Sequence, residues 1–195
     1  MSISIDDGSI GQDDFLGDDN NDHFHAGDGN NNLNGGGGDD GLDGGAGNDV
    51  LTGDLGDDVL IGGDGNDNLN GGDGDDHLDG GAGDDVLIGE LGDDVLHAGK
   101  GNDDLTGGAD NDQFSFYAAG HFTVQDFDAQ ADLLIFESKS TGIDSLEELV
   151  LMISSFEDTN EGVVVHFVDD IASITLVGLQ SGDLSADMVG FSSGI

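Results

Sequence analysis

A large apolar residue recurs at every ninth position over more than half of the chain. With Gly8 as the first position of a nine-residue unit, the frame runs to Ser115 without insertion or deletion and contains twelve units. The triplet around the apolar residue, such as Val50-Leu51-Thr52, predicts a short strand whose middle side chain points inwards. This period indicates a stack of identical small elements rather than an ordinary globular core. The eighth position is occupied by Phe15, Phe24, Leu33, Leu42, Leu51, Leu60, Leu69, Leu78, Leu87, Leu96, Leu105 and Phe114.

A second set of positions in the same frame is acidic. The sixth position reads Asp13, Asp22, Asn31, Asp40, Asp49, Asp58, Asp67, Asp76, Asp85, Asp94, Asp103 and Asp112. Glycine predominates at the first, second and fourth positions, where it lets the backbone adopt positive φ and turn carbonyl groups towards one point. The main departures from glycine at positions two and four fall in even-numbered units, at Asp18, Asn20, Asp54, Glu90 and Asp110.

The chain beyond Ser115 has a different composition, with only seven of the 37 glycines. The stretches FSFYAAGHFTVQDF and DLLIFES predict strands, and GVVVHFV followed by IASITLVG predicts a hairpin. Between them, Asp144 to Glu147 resembles a capping box that opens a helix reaching about Phe156. The apolar face of that helix would carry Leu146, Leu149, Val150 and Ile153.

The net charge of −42, with two lysines and no arginine, excludes nucleic acid as a partner and disfavours anionic membranes. No cysteine is present, so neither disulfides nor thiolate metal sites are expected. No apolar run is long enough to span a bilayer. The beginning, MSISIDDGSI, lacks the basic start and apolar core of a secretory signal peptide.

The repeat segment requires a cation in order to fold. Only one residue in nine is committed to the interior, and residues 8–115 contain 28 acidic residues and one lysine. Calcium fits, because it accepts six to eight carboxylate and carbonyl oxygens in tolerant geometry, whereas magnesium demands a strict octahedron. Zinc would require histidine or cysteine at a fixed position of the unit, and neither occurs there.

Units such as GGAGNDVLT and GGDGDDHLD resemble the repeats-in-toxin (RTX) nonapeptide family, whose pattern is GGxGxDxUx. The resemblance implies an all-β fold: a parallel β-roll of about six coils, capped by a mostly antiparallel C-terminal segment with one helix. Two units form one coil, so odd and even units lie on opposite edges. We expect the odd edge to be the more regular, with Asn31 as its weak point.

The resemblance also implies the calcium ligands, for up to about ten ions. Each ion would take position-six side chains from two turns, together with carbonyl oxygens of positions one and three of one turn and two and four of the other. The side chains are those of the twelve position-six residues given above. The carbonyl groups expected on the odd edge include those of Gly44, Gly45, Ala46, Gly47, Gly62, Gly63, Asp64, Gly65, Gly80, Gly81, Ala82 and Gly83.

The segment after the repeats is similar to the C-terminal part of serralysin-type secreted metalloproteases. The matching pieces are DQFSF, the VQDF to ADLLIF run and SITLVGLQSGDLSADMVGF. This similarity implies a cap and a signal for a type I ABC exporter, hence an extracellular bacterial protein without an N-terminal signal peptide. Asp187-Met188-Val189 fits such a tail, whereas the serine-rich ending departs from it.

Catalysis is not expected. No H-E-x-x-H motif occurs, so the protease half of the resemblance is missing. Gly190 to Gly194 spells G-x-S-x-G, but a nucleophile elbow needs a following helix and the sequence stops at Ile195. The outward histidines His23, His25, His77 and His97 could hold a transition metal, although scattered solvent-facing histidines are the simpler interpretation.

The sequence therefore predicts a secreted calcium-binding module that is unfolded in low calcium and folds after export. Residues 1–7 form a lead-in, 8–115 the calcium roll and 116–195 the cap and export signal. The alternatives are the non-catalytic part of a larger secreted enzyme, or a surface protein that binds polysaccharide or ice. Outward apolar residues would pack under the C-terminal segment or form a partner patch: Val50, Val59, Ile61, Val86, Ile88 and Val95.

Overall fold

Two parallel sheets form the walls of a flattened solenoid of about seven turns. The computed structural model describes residues 1–116, 120–137, 153–167 and 172–192. The strands are β1 (Ser4–Ile10), β2 (Asp14–Leu16), β3 (His23–Asp28), β4 (Asn32–Gly37), β5 (Gly41–Ala46), β6 (Val50–Leu55), β7 (Val59–Asp64), β8 (Asn68–Asp73), β9 (His77–Ala82), β10 (Val86–Leu91), β11 (Val95–His97), β12 (Gly101–Ala109), β13 (Gln113–Phe116), β14 (Gly120–Val124), β15 (Leu133–Glu137), β16 (Ile153–Asp158), β17 (Gly162–Phe167), β18 (Ser173–Val177) and β19 (Val189–Ser192).

Strands alternate between the sheets along the chain. One sheet has the order β1-β3-β5-β7-β9-β11-β13-β15-β19, and the other has the order β16-β17-β18-β14-β12-β10-β8-β6-β4-β2. Each strand of the repeats pairs in parallel with the strand of the next unit but one. The strands of odd units thus lie in one sheet and those of even units in the other, and their turns form opposite edges. The parallel β-roll predicted from the sequence is confirmed.

The core is a pair of side-chain stacks held between the sheets. In one sheet Leu51 is in register with Leu69, and Leu69 with Leu87. In the other, Leu60 is in register with Leu78. These leucines are fully buried, as the nine-residue period predicted. The strands are longer than the predicted triplets, since β6 continues through the glycine region of the next unit to Leu55.

The C-terminal segment continues the roll before it closes it. Strands β14 and β15 add to the two sheets in parallel, and β18 and β19 join them in the same direction. Antiparallel pairing, expected to predominate in this segment, is confined among the described strands to the β16–β17–β18 meander. Phe116, Phe122, Phe136 and Phe167 close this end, with ring centroids 4.9 to 6.0 Å apart along the cluster.

The helix predicted from Asp144 to Phe156 is wrong at its end, because Ile153–Asp158 is strand β16. The remainder of that prediction lies outside the described residues. Two 3-10 turns, Ser181–Asp183 and Ala186–Met188, precede the last strand. Nowhere in the described part of the chain does a helix have the length and apolar character needed to cross a membrane. Of the outward apolar side chains, Val50, Val59, Ile61 and Val86 are exposed.

Candidate metal sites between stacked turns

The position-six carboxylates lie at the ends of the strands and face the interior of the turns. From Asp22 to Asp112 every member of the row is nearly inaccessible to solvent. From Asn31 onward, the Oδ1 atom of each accepts a hydrogen bond from the backbone N–H of the position-six residue one turn earlier on the same edge, whereas Asp22 Oδ1 accepts the backbone N–H of Ile3. Asp58 N thus donates to Asp76 Oδ1 at 2.7 Å, and Asp76 N donates to Asp94 Oδ1 at 2.8 Å. One oxygen of each carboxylate is therefore used to tie two turns together.

The other oxygen of most of these carboxylates has no partner. Oδ2 is buried and without a hydrogen bond in eight of them: Asp40, Asp49, Asp58, Asp67, Asp76, Asp85, Asp94 and Asp103. A buried carboxylate oxygen without a donor is costly, because the charge has lost its hydration. Because this cost recurs at eight carboxylates, it indicates that the same kind of ligand binds at each of them. Four of the eight lie on each edge, and the expected greater regularity of the odd edge does not appear in this feature.

A backbone carbonyl group of the next turn lies beside the free carboxylate oxygen at four of these positions, Asp58, Asp67, Asp85 and Asp94. A Cβ added to Gly53 would lie 2.2 Å from Asp58 Oδ2 and 2.5 Å from the carbonyl oxygen of Gly71. A Cβ added to Gly89 would lie 2.1 Å from Asp94 Oδ2 and 2.5 Å from the Gly107 oxygen. Two hydrogen-bond acceptors from adjacent turns thus share one small space beside the position-one glycine. Both oxygens need a cation or a hydrogen-bond donor between them, and one cation can satisfy both at once.

Burial raises the pKa values of these carboxyl groups. The loss of hydration is the main cause, reinforced by neighbouring carboxylates and opposed by the backbone N–H bond. The pKa rises to about 6 for Asp58 and Asp94. It rises to about 7 for Asp76, Asp103 and Asp112. At neutral pH a cation bound in the calcium-free turn would therefore stabilise the buried carboxylates.

The residues fit calcium better than a metal that binds side chains alone. Among the described residues, no group of three or more His, Cys, Asp or Glu side chains is arranged to hold a metal ion. The carboxylates come singly from successive turns, so an ion must complete its shell with carbonyl oxygens, as calcium does. Position-one carbonyl groups, such as that of Gly71, take part in this arrangement. The contributions expected from positions two to four remain predictions.

The glycines of the unit serve two different purposes. Those at positions two and four adopt positive φ, for example 110° at Gly63 and 134° at Gly65. Those at position one do not, so the expectation of positive φ there is wrong. Position one favours glycine because at the glycine-containing units a Cβ would overlap the carboxylate of the same unit, whereas Ala26 and Ala98 occupy this position in two units.

Three non-glycine residues also adopt the left-handed conformation. Asp54, Glu90 and Asp110, which replace glycine on the even edge, have φ between 76° and 84°. Asparagines from an adjacent turn bond to two of their side chains. Asn34 Nδ2 donates to Asp54 Oδ2 at 2.7 Å, and Asn70 Nδ2 donates to Glu90 Oε1 at 2.9 Å. These three even-edge substitutions thus follow the same left-handed backbone path as the glycines, whereas Asp18 and Asn20 in the second unit do not adopt positive φ.

The sequence analysis missed two features of the edges. Position five is Asn or Asp from the second unit onward, and it forms an exposed ladder between turns. Asn66 N, for instance, donates to Asn48 Oδ1 at 3.0 Å. Asp132, beyond the repeats, continues the even-edge row by accepting Asp112 N at 3.0 Å. Its signal was Asp132-Leu133-Leu134, which keeps the Asp-x-Leu spacing of the unit.

Among the described residues, the outward histidines do not belong to any group of three or more side chains placed to hold a metal ion. His25 Nδ1 lies 2.8 Å from Asp43 Oδ2 on the outer face of one sheet. The rings of His77 and His97 are 4.7 Å apart on the same face. The absence of a three-ligand group among the described residues leaves no support for a transition-metal site there. Ser192 of the G-x-S-x-G letters ends strand β19.

Comparison with known families decides the identity of this arrangement. The model of the family described as RTX calcium-binding nonapeptide repeat (4 copies) matches residues 7–42, 16–51, 43–78, 52–87 and 79–114. These matches together cover more than half of the chain. The chain belongs to the RTX calcium-binding nonapeptide repeat family. The match gives calcium as the metal of the RTX turns, in agreement with the sequence analysis.

Solved structures share the fold of this RTX chain. The solution structure of the AlgE6R3 subunit from the Azotobacter vinelandii mannuronan C5-epimerase aligns with a TM-score of 0.51 and 24% identity, over 69% of this chain and 82% of that one. The crystal structure of extracellular lipase LipA from Serratia marcescens aligns with a TM-score of 0.54 and 21% identity, over 93% of this chain and 38% of the lipase. A comparison with curated protein sequences finds no relative.

The raised pKa values predict that protons compete with calcium. Folded, calcium-free turns hold carboxyl groups with pKa values of about 6 to 7, above the ordinary 3.8. Burial of their charge destabilises the apo roll above that range, and the penalty fades as pH falls from about 7 towards 4. Calcium requires the ionised form, so we expect turns that are already folded without calcium to bind it more weakly over the same window and to release protons near pH 6.5. A chain that is unfolded before calcium binds has carboxyl groups near the ordinary 3.8 and releases none.

Calorimetric calcium titration at about pH 6.5, in two buffers with different ionisation enthalpies, measures this release. The same titration at about pH 8 is the control, where the carboxyl groups are already ionised. A heat that is independent of the buffer near pH 6.5, in a chain that circular dichroism shows to be folded before calcium is added, would contradict the predicted linkage.

Proposed function

We propose that this protein is a secreted calcium-binding module that stays unfolded at low calcium and folds when calcium fills its turns after export. Calcium binding by the repeats follows from the family, whereas the folding switch and the route of export are parts of the proposal. In it, residues 1–7 are a lead-in, residues 8–115 hold the ions, and residues 116–195 form the cap and the region of the export signal. The single observation that carries it is the pairing of buried Oδ2 atoms with carbonyl oxygens across the stacked turns.

The charge of the repeats supports coupling between metal and fold. Residues 8–115 have a formal charge of −27, and eight calcium ions would reduce it to −11. Without the ions, each free carboxylate oxygen would be buried beside another acceptor. Stacking the turns would then bring these charges together with nothing between them. The extended chain avoids this arrangement, because its carboxylates remain hydrated.

The estimated free energies of calcium binding are large enough to couple binding to folding. Extracellular calcium modules bind with dissociation constants of roughly 10⁻⁴–10⁻³ M, so their sites are empty in a cell interior that keeps calcium far lower. At tenfold excess over the dissociation constant, each site contributes about 1.4 kcal/mol, and eight contribute about 11 kcal/mol. This is comparable to the whole stability of a typical domain. A chain that is unfolded before export can thread a type I ABC exporter.

Far-UV circular dichroism during a calcium titration tests the proposal, from excess EGTA to about 10 mM calcium. We expect a cooperative coil-to-β transition in calcium and none in an equal concentration of magnesium, which holds its waters and requires a stricter geometry. A full β signal in EGTA would overturn the folding switch.

A second candidate is that the chain is the non-catalytic repeat part of a larger secreted enzyme. The observation that favours it is the nature of the two structural neighbours, which are a subunit of an epimerase and a lipase of which this chain matches 38%. Binding of a polyanionic polysaccharide is less favourable, because a chain of net charge −42 would repel it. The gene sequence upstream of Met1 and binding assays with neutral and anionic polysaccharides distinguish these alternatives.

A further inference from the structure

Asn31 occupies position six on the odd edge, yet it leaves no free acceptor. Its Oδ1 accepts the backbone N–H of Asp13 at 2.9 Å, as the aspartates do in their turns. Its Nδ2 donates to the carbonyl oxygen of Gly44 at 3.1 Å. Gly44 is the position-one residue one turn later, which is the place that Gly71 holds relative to Asp58. The Asn31 side chain therefore bonds to both turns, whereas the carboxylates of the other turns have no donor for the facing carbonyl oxygen.

Only one orientation of this amide satisfies both neighbours. The backbone N–H of Asp13 can only donate, and the Gly44 carbonyl can only accept. The Oδ1 atom must face the first and the NH₂ group the second, as observed. No two acceptors face each other between these turns, so a cation has no site there.

At the ends of the even edge, two backbone N–H groups donate to the second carboxylate oxygen, although neither is shown to reach the facing carbonyl group as the Asn31 amide does. Asp18 N donates to Asp22 Oδ2 at 2.8 Å, near the first coil. Asp128 N donates to Asp132 Oδ2 at 2.7 Å, beyond the last repeat. Asp132 Oδ1 meanwhile accepts Asp112 N, as a member of the row would. Neither Asp22 nor Asp132 is among the carboxylates with a buried free oxygen.

We infer that the protein ends its calcium rows with its own hydrogen-bond donors, so that the first odd-edge junction and both ends of the even row are closed without metal. This inference rests on the proposed calcium sites. The carboxylates with a buried, unbonded Oδ2 then run from Asp49 to Asp103 on the odd edge and from Asp40 to Asp94 on the even edge, and Asp112, between Asp94 and Asp132, is not among them. The capacity becomes eight ions, rather than the ten that twelve stacked units would allow.

A site closed by the Asn31 amide and a merely weakened calcium site predict different numbers of bound ions after substitution. Replacing the Asn31 amide with a carboxylate should set two acceptors against each other, and thereby create one more calcium site on the odd edge. The reverse change within the row should close a site by supplying an amide donor. Asp67 is the matched position, since it lies two turns further along the same edge.

The test is the calcium content of the full chain after equilibrium dialysis at saturating calcium, measured by atomic emission. We compare the natural chain, Asn31→Asp and Asp67→Asn, with circular dichroism confirming that each is folded. We expect eight, nine and seven ions per chain, respectively. The variant Asn31→Asp should also need more calcium to fold, because it loses the metal-free bridge to Gly44.

The outcomes separate this inference from the proposed function. If the natural chain binds no calcium, the proposed function fails and the inference fails with it. If the natural chain binds calcium but Asn31→Asp gains no ion, the inference alone is overturned. If Asn31→Asp does not fold, Asp67→Asn tests the inference, because we expect that variant to remain folded and to lose one ion. Loss of several ions in a folded Asp67→Asn chain would overturn the one-for-one replacement.

Discussion

Gly65→Ala should destabilise the calcium-loaded roll by about 2–5 kcal/mol. A Cβ at this position would lie 1.7 Å from the carbonyl oxygen of Gly47, which belongs to the backbone of the adjacent turn. The residue also has φ near 134°, outside the left-handed region that L-residues tolerate. Relief would require the two turns to separate, with loss of the 2.7 Å bond from Gly65 N to Ala82 O.

Urea unfolding at saturating calcium measures this loss, and the calcium midpoint of the β transition should rise with it. Gly182→Ala is the matched control, because no atom lies within 4 Å of its added Cβ and its φ is not positive. We expect the control to change stability by less than about 0.5 kcal/mol. Equal stabilities for Gly65→Ala and Gly182→Ala would show that the turns are not stacked as described.

Leu69→Ala should cost about 2–5 kcal/mol at saturating calcium, because it leaves a cavity in the only apolar layer of that coil. Leu69 is fully buried and stands in register between Leu51 and Leu87. Neighbouring leucines in a parallel stack cannot collapse into the gap without losing their own register. The loss should therefore fall towards the upper part of that range.

Leu91→Ala is the control for this change. Leu91 lies at position three of an even-edge turn and is 51% exposed, so its truncation should alter stability by less than about 0.5 kcal/mol. Both variants are compared by urea unfolding in excess calcium. A similar loss for the two leucines would contradict the assignment of position eight as the position that carries the large apolar side chain of the core.

The periodic part of the fold could be predicted because each unit of nine residues contains the residues that determine its own turn and strand. Leu51, Leu69 and Leu87 repeat at the same phase, so their shared burial follows from the frame alone. The row of aspartates follows in the same way. Once two units make a coil, an 18-residue offset places Asp58 beside Asp76, as the bond between them shows.

Features that depend on side-chain orientation could not be predicted in this way. The sequence explained position-one glycine by backbone conformation, whereas the structure explains it by the volume that the Asp carboxylate occupies beside Gly53. Asn31 looked like a missing charge, and its bridge to Gly44 emerged only from the geometry. Both depend on where one oxygen or nitrogen atom points, which a pattern of letters does not encode.

Predictions were weakest where the period stops. Asp132 follows Asp112 by twenty residues instead of eighteen, so the frame no longer identified it as a member of the even row. At Ile153 to Phe156 a helical spacing of apolar residues competed with strand pairing, and pairing with β17 prevailed. Tertiary hydrogen bonds outweigh local pattern in such segments.

The central claim is that calcium occupies the space between facing oxygens of stacked turns. The most direct measurement is a crystal structure grown in calcium, with diffraction recorded at a wavelength where calcium scatters anomalously. The account predicts an anomalous peak within about 2.3–2.6 Å of both Asp58 Oδ2 and the Gly71 carbonyl oxygen, and equivalent peaks along both edges. A folded roll with no peak between these atoms, or with calcium bound only outside the turns, would contradict it.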